Sequence, residues 1–253
     1  MATEFIENND PKDTKQDCEL KAFHRIAKKI KRAFPQMKIC LLLDSLYANA
    51  PVFDLCHKNQ WRFIITFKKG SIPDLYGEFI ALRRIAKDQR DVQCGKEIKK
   101  IFAWVNDLPH MTHQLNVFQQ VEWTAKNKSR FVWITNFKTN PLTVRKLAEE
   151  GGRLRWIIEN VGFHTQKNGG YNLEHPFSKN HNAAKHFYFL LQIAHMINQL
   201  MVHGSLLRQF QAMLGSLRNF SRRMAEHFRN LKLPEELDRG HSPRAFQIRL
   251  DSS

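Results

Sequence analysis

Two acids stand where an α/β protein could use them. Asp44 closes the run Lys38-Ile-Cys-Leu-Leu-Leu-Asp44, and Glu159 closes Arg155-Trp-Ile-Ile-Glu159. Open α/β sheets bind their ligands outside the carboxyl ends of their strands. An acid directly after a continuous apolar run therefore sits where chemistry occurs, and also where turns and helix caps use Asp. Carboxylates gathered within a few Å can hold Mg²⁺ or Mn²⁺, and two such ions about 3.5–4 Å apart can set a water or a 3′-hydroxyl against a phosphodiester. Arg155 precedes Glu159 by four residues, on the same face of any helix that contains both, so it can contact a phosphate or pair with Glu159. Lys167 follows about 80° from Glu159 around an ideal helix, within reach of a phosphate for a side chain of that length.

Other chemistry-bearing residues are sparser. Cys18, Cys40, Cys56 and Cys94 form no C-x-x-C pair, which speaks against a zinc ribbon and a disulfide framework. Glu174-His175 has no second His or Cys at ligand spacing and suits a turn or cap, and His164, His186 and His195 recur at no ligand spacing. Trp123 can stack on an unpaired base or pack within a sheet.

The elements that must position these residues follow from periodicity. Thr3–Glu7 is expected as a short strand. A helix opening at Asp17 places Leu20, Phe23, Ile26, Ala27, Ile30 and Phe34 on one side and six Lys or Arg on the other. The run ending at Asp44 reads as a central parallel strand buried on both faces. With a short helix over 50–58 and a strand over 61–67 it makes a βαβ unit. Segments 99–105, 114–123 and 130–137 read as an antiparallel meander, with polar turns at Asp107–His110 and Lys126–Ser129. Helices are expected over 142–167, 182–207 and 206–231, the last carrying Arg208, Arg218, Arg222, Arg223 and Arg229, followed by a polar tail.

Leu43-Asp44-Ser-Leu-Tyr47-Ala, taken with Arg155-x-x-x-Glu159 and the continuation Gly170-Tyr-Asn-Leu-Glu-His175, resembles the DDE transposases of bacterial insertion sequences. The resemblance runs from about residue 18 to 200. It implies an RNase H-like α/β core with a β-rich insertion and C-terminal helices. It further implies Asp44 and Glu159 as catalytic metal ligands, Mg²⁺ (or Mn²⁺) as cofactor, and Arg155, Lys167 and Trp123 as DNA contacts. The expected activity is cleavage and strand transfer at transposon ends. Gly152 stands where the family motif has Tyr, Gln166 where it has Lys, and Ser45 where many relatives have Gly. The first catalytic Asp of such a core lies on a strand for which there is no room before the helix at Asp17, so the chain reads as an N-terminally truncated core lacking its first strands and one metal ligand. The corresponding division is 1–93 and 142–203 for the two parts of the core, 94–141 for the insertion and 204–253 for a basic C-terminal helix and tail. Two further readings stay open: a DNA-binding remnant without catalysis, and a metal-dependent nuclease of the same fold completed by Glu174 or Asp54.

Composition agrees with a polyanionic partner. The chain has 253 residues, 40 Lys and Arg against 24 Asp and Glu, a net charge of +16 and 42% hydrophobic residues, enough for a substantial core. The first ten residues contain acids and lack the basic-then-apolar pattern of a secretory signal, and no apolar run approaches bilayer length. A cytoplasmic, nucleoid-associated protein is expected. Its expected partners are transposon-end and target DNA, and a second copy or an intact transposase, with no membrane.

Overall fold

The computed structural model describes residues 3–7, 17–86, 89–95, 97–175, 178–204 and 217–231. The chain divides into two compact units, Met1–Glu159 and Asn160–Ser253.

The first unit is α/β. In chain order it contains α1 (Glu19–Ala33), β1 (Cys40–Leu43), α2 (Ala50–Asn59), β2 (Arg62–Thr66), α3 (Pro73–Ile85), β3 (Arg90–Cys94), β4 (Lys99–His110), β5 (His113–Trp123), β6 (Lys128–Thr135), α4 (Pro141–Glu149) and a helical turn, α5 (Arg155–Ile157). The six strands form one mixed sheet in the order β1-β2-β6-β5-β4-β3. Among the described strands only β1 and β2 run parallel; β6 joins β2 antiparallel, with Thr66 opposite Trp133, so the meander continues the sheet.

Alternation along the strands separates two cores. Phe63 and Ile65 of β2, with Val132 and Ile134 of β6, face Val52, Phe53 and Cys56 of α2 and Leu75 and Phe79 of α3. Ile64 and Trp133, with Phe102, Trp104 and Phe118, face Val144 and Ala148 of α4. Phe53 and Phe63 are each 1% exposed and stack with centroids 5.3 Å apart. Burying a side chain of this size contributes about 1.5–3 kcal/mol. The amphipathic helix expected after Asp17 is α1, which packs Leu20, Phe23, Ala27 and Ile30 on the first core.

Several sequence expectations need correction. Thr3–Glu7 is not a strand; Glu4 binds Arg25 and Lys29, and Arg25 donates to the Phe5 carbonyl, so ion pairs rather than a β ladder hold this segment. β1 is not central: among the described strands it pairs only with β2 and forms the sheet edge, with Cys40 exposed and Leu41–Leu43 half-buried. α3 went unforeseen because Gly77 interrupts a weakly amphipathic stretch. The turn expected at Asp107–His110 lies inside β4, where the register shifts between Val105 and Leu108 and Asp107 takes φ 58°; the hairpin reverses after His110 instead. The helix expected over 142–167 is broken. α4 stops at Glu149, a 3₁₀ turn spans Gly152–Leu154, and α5 passes into a π-helical turn, Ile158–Phe163.

The second unit contains α6 (His164–Asn168), α7 (His181–His203) and α8 (Leu217–Asn230). Gly204 follows the last residue of α7, its N–H bonded to the Leu200 carbonyl. Arg208 and the polar tail lie outside the described residues. Among the described residues no helix is long and apolar enough to cross a membrane.

Candidate functional site

β1 delivers Asp44 to the carboxyl end of the parallel pair, where its carboxylate accepts the Ser45 backbone N–H at 2.5 Å and caps the 3₁₀ turn Ser45–Tyr47. Tyr47 ties this turn to α1. Its ring lies 4.9 Å from that of Phe23 and its hydroxyl donates to Glu19 at 3.1 Å, while burial and the Glu19 charge push its pKa up to about 12. Ser71, in the loop after β2, donates to the Ser45 carbonyl, so the loops leaving both parallel strands are fastened together.

Gly151 and Gly152 carry the chain from α4 to Arg155 directly over the sheet. A Cβ at Gly152 would fall 2.3 Å from the Trp133 indole, and one at Gly151 2.5 Å from the Ile64 side chain. Only glycine permits that approach. Arg155 then emerges with its side chain 17% exposed and donates to Glu159 at 2.6 Å. Glu159 occupies the π-helical turn, a distortion often found at functional sites.

The same guanidinium acts on Asp44. Burial pushes the Asp44 carboxyl up, but the Ser45 N–H, the charge of Arg155, the Ser45 side chain and the charge of Lys68 together outweigh it and hold the group below the usual carboxylate range. Arg155 thus pairs with Glu159 and, through its charge, helps lower the pKa of Asp44, a residue far off in sequence.

Beside them lies a cleft of about 390 Å³ lined by Lys68, Lys69, Arg130, Arg153 and Arg155. Tyr76, Phe131, Trp133 and Trp156 supply aromatic surface, Trp156 being 57% exposed, and no Asp or Glu is among the described lining residues. The Arg153 guanidinium sits 4.0 Å from the centroid of Phe131. Of these residues Arg155 alone is marked out by a sequence pattern, its i,i+4 spacing to Glu159. Lys68-Lys69 carried a signal, since they lie just past the carboxyl end of β2, after Phe67, at the ligand-binding end of the sheet.

The remaining candidates are not among the described residues that line the cleft. Trp123, 44% exposed at the end of β5, carries the Lys128 ammonium 4.1 Å over its ring, so it is a surface aromatic rather than a core one. Lys167 belongs to the second unit and pairs with Glu174 at 2.8 Å; its hydrogen bond holds the Glu174 pKa below the ordinary value. Asp54 binds His113 at 2.8 Å. Among the described residues no three His, Cys, Asp or Glu side chains gather as a metal site. Asp44 and Glu159, the latter paired with Arg155, do not by themselves make the three-carboxylate cradle that the resemblance implies.

The chain matches no protein-family profile and no curated protein.

Proposed function

We propose that the chain is a DDE-transposase-type domain of RNase H-like fold that binds DNA, with the basic aromatic cleft as its strand-binding surface and Asp44 and Glu159 as two of the carboxylates of a catalytic centre. The observation that carries this reading is the cleft itself, lined by five cations and aromatic rings with no Asp or Glu among its described lining residues, Arg155 in its wall being paired with Glu159. Cations that track a backbone and aromatics that stack on bases are the two requirements of single-strand binding. Mg²⁺ or Mn²⁺ would find two donors here, one short of the set expected, so strand binding without cleavage is the activity assigned to the described residues. Transposon-end and target DNA are the proposed partners, with a second copy or an intact transposase as a further one.

The test is binding of labelled DNA carrying candidate transposon ends, with Mg²⁺- or Mn²⁺-dependent nicking scored on the same substrate. Salt-sensitive binding without nicking is expected. Nicking by this chain alone, abolished by Asp44→Ala, would replace the reading with a nuclease of the same fold, and absence of DNA binding would refute it.

A further inference from the structure

The side of the sheet facing α3 carries an arginine cluster that shares Arg130 with the cleft and otherwise lies outside its lining. Arg83 of α3 donates through Nη1 to the Gln119 side-chain oxygen at 2.6 Å, and Arg130 of β6 donates through Nε to the same oxygen at 2.9 Å. Both lone pairs of that oxygen are then engaged, while Arg83 Nε is buried without a partner. Among the described residues, no ion pair involves Arg83, Arg84, Arg90 or Arg130. Asp91, next to Arg90 in sequence, is bound by Arg145. Burial, followed by the charges of Arg130, Arg90 and Arg84, lowers the Arg83 pKa below that of an ordinary arginine. Like charges converging on a neutral amide, with a buried donor unmet, are unfavourable unless an anion supplies the missing acceptors.

We propose that Arg83 and Arg130, converging on Gln119, form a phosphate-binding subsite that engages a phosphodiester of a nucleic-acid strand lying in the cleft. Arg130 also lines the cleft and lies 5.9 Å from the centroid of Tyr76, so the subsite opens onto the surface described above. Guanidinium groups suit this role because their fixed fork of N–H donors matches phosphate oxygens. The choice of a strand as the source of the phosphate rests on the functional reading above; the recognition of a phosphate group does not.

The experiment measures fluorescence anisotropy of a labelled single-stranded oligonucleotide over a salt series, for the wild-type chain, Arg83→Gln and Gln119→Glu. Loss of one charge-assisted phosphate contact predicts about tenfold weaker binding for Arg83→Gln. The log–log salt slope becomes shallower by about 0.7. Gln119→Glu sets a carboxylate between the two guanidinium groups, so its unfolding midpoint rises while strand binding weakens. A purely structural cluster would not produce that opposition. A parallel arm follows the unfolding midpoint with inorganic phosphate against chloride at matched ionic strength. Stabilisation that Arg83→Gln removes, with strand binding unaltered, would assign the site to the free ion and overturn the proposal. Unchanged affinity and slope in both variants would overturn it as well. A wild-type chain that binds no strand would instead take down the reading of the whole cleft, a result separable from the others.

Discussion

Replacing Gly152 by alanine tests how Arg155 is aimed. The added Cβ would lie 2.3, 2.4 and 2.8 Å from three atoms of the Trp133 indole, where ordinary contact begins at 3.4 Å, so one partner must retreat by about 1.1 Å. Trp133 cannot yield: it is 3% exposed and stacks on Phe118 and Phe131 at 5.2 and 6.0 Å. The 3₁₀ turn must lift instead, at an overpacking cost of about 1–3 kcal/mol. Arg155 lies one turn further along, so the lift draws its guanidinium away from Asp44. The Asp44 pKa, held down partly by that charge, then rises towards the ordinary value of 3.8 or above it. Urea unfolding measures the first effect, and a carboxyl-carbon NMR titration of Asp44 the second. Gly162→Ala is the control. Nothing lies within 4 Å of a Cβ there, and its stability should stay within about 0.5 kcal/mol of wild type. Stability for Gly152→Ala within the same margin, together with an unmoved Asp44 titration, would refute the close-approach argument.

Two further outcomes follow from the structure. His195 is 5% exposed, and burial lowers its pKa from the ordinary 6.5; its Nδ1 meets the Gln166 amide at 2.8 Å and Tyr171 stacks on its ring at 5.2 Å. The unfolded chain therefore takes up the proton first. The stability of this polar cluster should be full above about pH 6.5 and fall as the pH drops towards the lower folded-state value. Amide exchange along α7 between neutral and mildly acidic pH measures this, and pH-independent protection would contradict it. At α4, the Asn140 carboxamide accepts the Leu142 and Thr143 N–H groups while the Thr143 hydroxyl accepts the Asn140 N–H, a reciprocal cap preceding Pro141. Asn140→Ala should lower stability by about 1 kcal/mol in denaturant unfolding, and no change would show that the cap contributes nothing.

The two acids were more legible in the sequence than the surface around them. An apolar run closed by Asp44 and an i,i+4 Arg155–Glu159 pair are local patterns, and both keep their spacing in the folded chain. The cleft draws Lys68 and Lys69 from the end of β2, Arg130 from β6 and Arg153 from the turn after α4, and local periodicity cannot announce that these converge. The helix break at Gly151-Gly152 was hidden for a related reason. Two adjacent glycines favour a break there, but the reason they are needed is the indole of Trp133 and the side chain of Ile64, on strands remote in sequence. The edge position of β1 was likewise invisible, since Leu41–Leu43 are as apolar as a central strand while α1 and α2 cover one of their faces. At Asp107 a single residue of positive φ absorbs a register shift that a turn-forming sequence had suggested would end the strand.

The most direct test of the central claim is the salt dependence of single-stranded DNA binding by the intact chain, measured beside an Arg155→Gln, Lys68→Gln double variant. Five cleft cations, each meeting one phosphate, contribute about −3.5 to the log–log slope, apart from any contribution of Arg83, and the slope falls in magnitude by about 1.4 in the double variant. Binding that is insensitive to salt, or a double variant indistinguishable from the wild-type chain, would contradict the assignment of the cleft to a nucleic-acid strand.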